Sequence, residues 1–187
     1  PLLVDPDATI RQTLQPDVLV DAILAKRNLG THIDDAPLVI GLGPGFRVGR
    51  DVHLGIETQR GHNLGRVLEA GEAEADTGVP AEIGGYTWER VLRSPGEGTF
   101  YTTKRIGDEV IPGETVGWVG ELPVIAEIFG VLRGLIREGF PARNRMKLGD
   151  IDPRGLREAC FTISDKARAI GGGVLEAILL NSQDQEG

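Results

Sequence analysis

The sequence is poor in cysteine, in aromatic residues and in basic charge, and each shortage excludes a class of protein. Cys160 is the single cysteine of the 187 residues, so internal disulfides and the multi-cysteine zinc and iron–sulfur frameworks are excluded. Two Trp, two Tyr and five Phe offer few platforms on which single-stranded nucleic acid stacks. A net charge of −8 opposes binding to any polyphosphate. We therefore expect no nucleic-acid partner.

Long apolar runs are missing as well. No stretch approaches the roughly 18 uncharged apolar residues of a membrane span, and the N-terminus has no basic segment followed by an apolar one, as a secretory signal has. A single cysteine fits a reducing compartment. These features predict a soluble, cytoplasmic protein with no membrane contact. The chain starts at Pro1 and enters the strand-like run Leu2–Val4 without a lead-in, which predicts that it is N-terminally truncated.

Glycine, by contrast, is abundant, and the chain divides into three predicted regions. The 27 glycines and 11 prolines indicate many turns and short strands. In the first region, residues 1–92, the apolar triplets Val18–Val20 and Leu38–Ile40 do not alternate with polar residues, which is typical of strands covered on both faces in a parallel α/β sheet. Val52–Ile56 and Leu64–Glu69 are further strand candidates. We therefore predict a mixed α/β fold that opens with a partial Rossmann-like part and continues into a β-rich region.

The second region, residues 93–152, contains an internal repeat with an offset of 32 residues. The matched pairs are Gly98 with Gly130, Gly107 with Gly139, Val110 with Ala142, Gly113 with Arg145, and Val116 with Leu148. Two halves of roughly 30 residues that cannot bury their apolar faces alone are expected to interlock. The region is predicted to form a pseudo-symmetric barrel that resembles the hybrid fold of biotinyl and lipoyl carrier domains.

This resemblance to carrier domains includes one departure. Carrier domains present their modified lysine at the hairpin that joins the two halves, and here that hairpin is residues 120–123, with the sequence GELP. The chain has no lysine between Lys104 and Lys147, whereas the amide to biotin or lipoate needs an amine. We therefore expect no covalent biotin or lipoate and predict a structural or docking module.

The third region, residues 153–187, is predicted to be a C-terminal helix that packs back on the N-terminal part. Pro153 marks its boundary, and Ser164 or Asp165 is a good N-cap for a helix that runs toward Leu180. An apolar stripe follows at helical spacing, and it consists of Ala167, Ile170, Val174, Ala177 and Ile178. The triplet Gly171–Gly173 interrupts this stripe, and either close packing of the helix on a strand or backbone approach to a ligand would explain it.

A glycine-rich loop follows the second apolar triplet. Gly41, Gly43 and Gly45 lie where α/β proteins place backbone that cradles ligands. No spaced glycine of a dinucleotide fingerprint opens a helix here, and Pro44 removes one N–H that an anion would use. The loop is either a tight turn with nothing bound or part of a ligand site.

The most reactive side chains cluster in the segment from His53 to His62. His53 and Glu57 are an even number of residues apart, so on a strand they would project from the same face, and a turn would return His62 to it. These three groups could hold a divalent metal or act as an acid–base pair. Arg60 could hold a phosphate or carboxylate in bidentate fashion. Lys166, at the start of the predicted helix, is the remaining candidate ligand-binding residue. The alternative is that these groups only satisfy turn backbone and one another.

The single cysteine precedes the predicted helix cap. A thiol near a helix N-terminus and near Lys166 could act as a nucleophile or a sulfur carrier. Buried structural cysteine is the commoner alternative, so Cys160 has two interpretations.

Three sequence blocks together resemble one family. They are residues 34–46 (DDAPLVIGLGPGF), 51–67 (DVHLGIETQRGHNLGRV) and 160–173 (CFTISDKARAIGGG). The chain is similar to the accessory-protein family of the selenium-dependent molybdenum hydroxylase system, also called YqeB-like, along essentially its whole length. The resemblance implies a cytoplasmic, prokaryotic protein that assists the maturation of molybdenum hydroxylases such as xanthine or purine dehydrogenases. It brings no established catalytic residue, and family members usually begin with a glycine-rich, nucleotide-binding-like segment that is not found here.

The residues and the resemblance together favour a maturation factor. Its ligand would be polar and anionic, such as a molybdopterin phosphate or a selenium or sulfur species, and its protein partner would be the target hydroxylase. The alternative is an enzyme that uses a divalent metal held by His53, Glu57 and His62, so enzymatic activity stays open. A further alternative is a pure docking scaffold whose barrel binds the hydroxylase.

Overall fold

The computed structural model describes the backbone of residues 1–184 and the side chains of residues 1–182, and the fold is mixed α/β, built mostly of sheets. The strands are β1 (Val18–Asp21), β2 (Leu38–Leu42), β3 (Leu54–Ile56), β4 (Val67–Leu68), β5 (Val91–Arg93), β6 (Gly98–Tyr101), β7 (Glu109–Val110), β8 (Thr115–Val119), β9 (Leu122–Ile125), β10 (Gly130–Leu135), β11 (Pro141–Ala142) and β12 (Lys147–Asp152). The helices are α1 (Arg11–Leu14) and α2 (Asp165–Asp184), with 3-10 turns at Ile33–Asp35 and Arg157–Cys160. The predicted mixed α/β class and C-terminal helix are confirmed. Within residues 1–184, no helix has both the length and the apolarity that crossing a membrane requires.

The chain divides into two compact units. The first comprises Pro1–Thr77 together with the segment from Ser164 onward, and the second comprises Gly78–Ile163. The sequence places boundaries after residues 92 and 152, whereas the structure divides the chain after residues 77 and 163. The difference arises because β5 pairs with β12 and the 3-10 turn Arg157–Cys160 contacts β10, so both flanking segments join the second unit.

The sheet of the first unit is short and mainly parallel. Strand β1 pairs in parallel with β2, β2 in parallel with β3, and β3 antiparallel with β4. All five residues of β2 are buried, as the uninterrupted apolar run predicts. Helix α2 packs against this sheet, and the shared core consists of Leu38, Ile40, Leu42, Ile56, Ile170 and Ala177. The run Leu2–Val4 is not a strand, contrary to its strand-like pattern, and its side chains are exposed because they pair with no neighbour in the sheet.

Helix α2 begins where the sequence predicts. The Ser164 hydroxyl accepts the Ala167 N–H at 3.1 Å and caps the first turn. Four of the five predicted stripe residues reach the core, namely Ile170, Val174, Ala177 and Ile178. Ala167 is instead exposed, because it lies one turn before the first core contact. The helix thus packs on the sheet through its middle rather than through its first turn.

Glycine at position 173 lets α2 approach the sheet closely. A Cβ at Gly173 would clash with the Gly65 carbonyl oxygen and lie 3.2 Å from Ile56 Cγ2. Gly171 and Gly172, by contrast, face open space. Close packing therefore explains one glycine of the triplet, and nothing in the structure explains the other two.

The second unit consists of two four-stranded sheets that repeat each other. Their strand orders are β5-β12-β10-β7 and β9-β8-β6-β11. A shift of 32 residues converts each strand of one sheet into its counterpart in the other, as the bounds of β7 (109–110) and β11 (141–142) illustrate. The two halves of the repeat therefore contribute equivalent strands, and each sheet contains strands from both halves.

The repeat extends to backbone conformation and to hydrogen bonds. Paired glycines have matching φ angles, +153° and +159° at Gly98 and Gly130, and +94° and +81° at Gly107 and Gly139. The Gly107 N–H donates to the Leu132 carbonyl at 2.7 Å, and the Gly139 N–H donates to the Phe100 carbonyl at 2.8 Å. The two bonds join equivalent positions of the repeat, with the donor in one half in the first case and in the other half in the second. The halves thus interlock reciprocally, and their buried residues form one apolar core.

A buried carboxylate at the end of β12 holds two arginines of the second unit. Asp152 accepts a bond from Arg133 at 3.0 Å, and Arg154 donates to both of its oxygens at 2.9 and 2.6 Å. Hydrogen bonding by Arg154 lowers the pKa of Asp152 to about 2, against the raising effect of burial. The carboxylate is therefore ionised at neutral pH and ties β10 to the turn that follows β12.

The glycine triplet of α2 offers a matched pair of variants. Gly173→Ala should lower the free energy of unfolding by about 2 kcal/mol or more, because the new methyl group clashes with backbone that is packed on both sides. Gly172→Ala should raise it by about 0.5–1 kcal/mol, because alanine favours the helix and meets no neighbour. Urea denaturation measures both free energies. Changes of equal sign would contradict the close contact between α2 and Gly65.

Candidate functional site

The parallel strands of the first unit end side by side, and the chain leaves them through two loops. Strand β2 runs into the turn 43–45, and β3 runs into the loop 57–66. The Gly43 N–H donates to the Ile56 carbonyl at 2.9 Å, so the two loops start in register. Ligand sites of open α/β sheets lie at this edge. We call these two loops, with the first turn of α2, the carboxyl-edge site.

A buried carboxylate organises the carboxyl-edge site. Glu57 is 3% exposed, and its Oε1 accepts the N–H groups of Thr58 at 2.7 Å and Gln59 at 2.6 Å. Its Oε2 accepts the Glu74 N–H at 2.8 Å. Three charge-assisted bonds from the backbone offset the cost of burying the charge. Glu57 therefore fixes the start of the loop after β3 and ties it to the segment around residue 74.

Arg60 connects the same loop to α2. Its Nη1 and Nη2 donate to the two carboxylate oxygens of Asp165 at 2.7 and 3.0 Å, so the pair is bidentate. Both side chains are substantially exposed, so the pair contributes little to stability. Its effect is positional, because it holds the guanidinium beside the first turn of α2.

Lys166 lies half-buried in that first turn, among charges contributed by Glu57, Arg60, Lys26 and Asp76. Burial is the main cause that lowers the pKa of the Lys166 amine, and the positive charges of Arg60 and Lys26 lower it further, while Glu57 and Asp76 act in the opposite direction. Lys26 is itself paired with Asp76 at 2.7 Å. Three cations thus surround a site in which one amine is partly desolvated.

Three of the residues predicted to bind a ligand therefore come together at this edge, namely Glu57, Arg60 and Lys166. The pair of Lys26 and Asp76 extends the cluster and was not predicted. No local pattern points to these two residues, because they lie in irregular segments 50 residues apart. Only the folded chain brings them to the same place.

Packing accounts for Gly41 near the end of β2 and for the two glycines of the turn that follows. A Cβ at Gly41 would lie 2.6 Å from the ring of the phenylalanine that follows the turn, and a Cβ at Gly43 would lie 2.6 Å from Thr58 Oγ1. Gly43 and Gly45 have φ of +79° and +108°, and a Cβ at Gly45 would clash with the Arg27 backbone. The tight turn thus explains Gly43 and Gly45, close packing explains Gly41, and the ligand-cradle interpretation stays a prediction.

The two histidines do not join this cluster. His53 precedes β3 and Glu57 follows it, so the strand separates them by roughly 13 Å. The His53 Nδ1 accepts the Val39 N–H at 3.0 Å, and the His53 N–H donates to the Val39 carbonyl at 2.9 Å. His62 is exposed in the loop after β3. The imidazole of His53 is therefore hydrogen-bonded near the amino-terminal ends of β2 and β3, away from the carboxyl-edge site.

This arrangement corrects the predicted metal group. His53, Glu57 and His62 are not brought together, because β3 holds the first two apart and the oxygens of Glu57 bind backbone N–H groups. Among the described side chains, those of residues 1–182, no three His, Cys, Asp or Glu form a group that could hold a metal ion. Glu57 instead lies near three cations, Arg60, Lys166 and Lys26, of which Arg60 pairs with Asp165 and Lys26 with Asp76.

His53 instead lines an open cavity of about 750 Å³ before the start of β2. Its walls include Arg11 and Asp35, which form an ion pair at 3.1 Å, and the side chains of Gln12 and Gln15. No sequence motif predicts this cavity, because its residues come from α1, a 3-10 turn and the residue before β3. The first unit thus contains this polar cavity in addition to the carboxyl-edge site.

Cys160 belongs to the second unit, at the end of a 3-10 turn rather than in the first turn of α2. Its thiol is half-buried and donates to the Leu132 carbonyl at 3.6 Å. This contact favours the structural interpretation of the cysteine, because the sulfur is packed against a strand of its own unit.

Comparison with known proteins finds one curated relative over nearly the whole chain. The sequence is 48% identical over 180 residues to the uncharacterized protein YqeB of Escherichia coli (strain K12). The chain is therefore similar to one segment of that protein. This similarity covers 96% of the chain and agrees with the resemblance carried by the three sequence blocks, but the chain spans only about a third of the length of YqeB, 33%. No protein-family model matches the chain.

Among solved structures, there is a weak similarity to a crystal structure of succinylglutamatedesuccinylase/aspartoacylase from Rhodobacter sphaeroides. The TM-score is 0.32 and the sequence identity 19%, over 46% of this chain and 29% of that chain. A similarity of this size supports no conclusion about the fold or the function.

The neutral isostere of the buried carboxylate tests the role of Glu57. Glu57→Gln should lower the free energy of unfolding by about 1–3 kcal/mol, because the amide nitrogen would face the Glu74 N–H with a second donor. Glu69→Gln, at an exposed position, is the control and should change it by less than about 0.5 kcal/mol. Chemical denaturation measures both. A Glu57→Gln protein as stable as the wild type would contradict the three backbone bonds.

Proposed function

We propose that the first unit binds a polar, anionic ligand at the carboxyl-edge site, with Arg60 and Lys166 as the main contacts. The observation that carries this proposal is the half-buried amine of Lys166, whose pKa is lowered by burial and by the neighbouring charges of Arg60 and Lys26. A bound anion would stabilise the charged amine, so the free energy of binding and the protonation of Lys166 are linked.

The carboxylates around Lys166 are already engaged. Glu57 accepts three backbone N–H groups, and Asp165 accepts the bidentate bonds of Arg60. Asp76 pairs with Lys26. The amine therefore has neighbouring charge but few oxygen acceptors of its own, and an oxyanion would supply them. The N-terminus of the 20-residue helix α2 adds a favourable dipole at the same place.

We further propose that the protein is an accessory factor in the maturation of molybdenum hydroxylases. The support is the resemblance of the three sequence blocks to the accessory family, together with the 48% identity to YqeB. On this proposal the protein is cytoplasmic, its partner is the target hydroxylase, and its ligand is a molybdopterin phosphate or a selenium or sulfur species. The chain spans about a third of the length of YqeB, and YqeB is itself uncharacterized.

Two finer aspects of the fold belong to the same proposal. The parallel order of β1, β2 and β3, with α2 packed on the sheet, supports a partial Rossmann-like unit. The reciprocal halves of the second unit support a relationship to the hybrid barrel of carrier domains. The hairpin between β8 and β9 contains Gly120 and Glu121 and no lysine, so this unit would serve as a module without a carried group.

Anion binding by purified protein tests the first part of this proposal. Inorganic phosphate and selenite are the probes, and titration calorimetry measures the affinity. Lys166→Ala and Arg60→Ala should each weaken binding about tenfold or more, because each removes a cation that contacts the anion directly. The melting temperature of Lys166→Ala should stay close to that of the wild type, since the Lys166 side chain forms no hydrogen bond or ion pair with the described residues.

Arg66→Ala is the matched control. Arg66 is an exposed cation of the same loop, and its Nη1 donates to Asn63 Oδ1 at 3.4 Å. Its removal should change the affinity by less than about twofold. Binding that survives in Lys166→Ala, or that falls equally in Arg66→Ala, would overturn the assignment of the site.

A further inference from the structure

A third loop of the first unit reaches the carboxyl-edge site. Strand β1 is parallel to β2 and β3, so the loop that follows it, residues 22–31, leaves the sheet at the same edge. The buried carboxylate of Asp21, the last residue of β1, accepts the Ile23 N–H at 3.0 Å and the Thr31 hydroxyl at 2.6 Å. These two bonds tie the beginning of the loop to its end. Asp21 thus fixes the loop after β1 as Glu57 fixes the loop after β3.

The loop after β1 packs against the turn after β2 and holds a lysine in a strained conformation. A Cβ at Gly45 would clash with the Arg27 backbone, so the loop and the turn are in direct contact. Lys26, the preceding residue, has φ of +63°, a left-handed conformation that is unfavourable for lysine. Its charge acts on the Lys166 amine. The loop therefore carries a third cation to the carboxyl-edge site.

Asp76 reaches Lys26 from segment 69–77, which follows β4. The segment is attached to the site at Glu74, whose N–H donates to Glu57 Oε2 at 2.8 Å. Asp76 Oδ2 accepts a bond from Lys26 Nζ at 2.7 Å, and within the described part of the chain the Asp76 carboxylate forms no other hydrogen bond or ion pair. Both side chains of this pair are exposed. An exposed ion pair contributes little to stability, so it opens at little cost.

The carboxyl-edge site contains as many carboxylates as cations, namely Glu57, Asp165 and Asp76 against Lys26, Arg60 and Lys166. Glu57 accepts three backbone N–H groups, and Asp165 accepts two bonds from one guanidinium. Asp76 accepts a single bond from a flexible side chain. An entering anion therefore displaces Asp76 more easily than the other two carboxylates. Its departure leaves the cations of the site in excess by one charge.

We propose that Lys26 is a third anion-binding residue of the carboxyl-edge site, and that Asp76 is the internal counter-ion which the ligand displaces. The inference rests on the proposed function, because it takes an anion to bind beside Lys166 and Arg60. In the free protein, Asp76 occupies the position beside Lys26 that an oxygen of the ligand takes in the complex. The site is therefore neutral while it is empty and becomes selective for anions when Asp76 leaves.

Displacement of Asp76 determines both the affinity and the class of the ligand. Binding has to open the pair of Lys26 and Asp76, so the observed affinity is that of the open site multiplied by the fraction of molecules in which the pair is open. A carboxylate ligand has two oxygens and gains nothing over Asp76 at Lys26, whereas a phosphate group has an oxygen for each of the three cations. Phosphate-type oxyanions are therefore favoured over carboxylates.

Titration calorimetry with inorganic phosphate, on the whole chain, tests the role of the counter-ion. Asp76→Asn should tighten binding about threefold or more, because it removes the competing charge and keeps the size of the side chain. Lys26→Ala should weaken binding about threefold or more, because it removes a cation that contacts the anion. Asp76→Asn in the Lys26→Ala background should tighten binding by less than it does in the wild type, since the two side chains act on each other. Acetate, as the carboxylate ligand, should bind about tenfold more weakly than phosphate.

Glu72→Gln is the matched control for the loss of one negative charge. Glu72 is exposed in the same segment, and its charge acts on Arg50. The variant should change the phosphate affinity by less than about twofold, because solvent and salt screen an exposed charge outside the site.

A second measurement needs no ligand. Burial lowers the pKa of the Lys166 amine, and the negative charge of Asp76 acts against this effect. Asp76→Asn should therefore lower the pKa of Lys166 further, whereas Glu72→Gln should leave it unchanged. An NMR titration of the Lys166 side chain measures both.

The outcomes separate this inference from the proposed function. Phosphate binding that depends on Lys166 and Arg60, but that Asp76→Asn leaves unchanged or weakens, would refute the role of Asp76 and leave the anion site standing. Equal tightening in Glu72→Gln would reduce the effect to net charge and would also refute it. Phosphate binding that survives in Lys166→Ala and Arg60→Ala would refute the proposed function itself. Absence of binding in both the wild type and Asp76→Asn would overturn both assignments.

Discussion

The carboxylate of Glu57, bound by three backbone N–H groups, is the contact on which the candidate site depends. It fixes the loop after β3 at the point where the parallel strands end, and from that loop Arg60 reaches the first turn of α2. The helix in turn can lie against the sheet because Gly65 and Gly173 allow a close approach. Lys166 lies half-buried in the first turn of that helix, among the charges of Glu57 and Arg60. The exposed ion pairs contribute little to the stability of this arrangement, which depends on the buried carboxylate and on the glycine contact.

The second unit is built from an internal repeat, in which the same arrangement of strands occurs twice. Reciprocal hydrogen bonds and matched positive-φ glycines serve both halves, so the core is specified by a short pattern. Positions that break the pattern are released from this constraint. Arg145, in a conformation that its partner Gly113 adopts more easily, is the clearest of them. Departures from internal symmetry therefore mark residues that the shared fold does not require.

Local patterns predicted the parts of the molecule that are determined locally. The apolar triplets became β1 and β2, Ser164 caps α2, and the glycine spacing of the second unit reappears in its φ angles. The predicted metal site was wrong because it assumed that His53 and Glu57 lie on one face of the same strand. Strand β3 is only three residues long, and both residues lie outside it. The pair Lys26 and Asp76 could not be predicted, since no periodicity connects two irregular segments. The sequence thus indicated which loop forms the candidate site, whereas tertiary packing determines which other residues lie beside that loop.

The protonation of Lys166 tests the central claim most directly. A pH titration of the Lys166 side chain by NMR, assigned by comparison with Lys166→Ala, measures its pKa with and without inorganic phosphate. We expect a pKa below the usual value for lysine in the free protein, because burial and the charges of Arg60 and Lys26 disfavour the ammonium, and a rise in this pKa when phosphate binds. An ordinary pKa that phosphate leaves unchanged would contradict it.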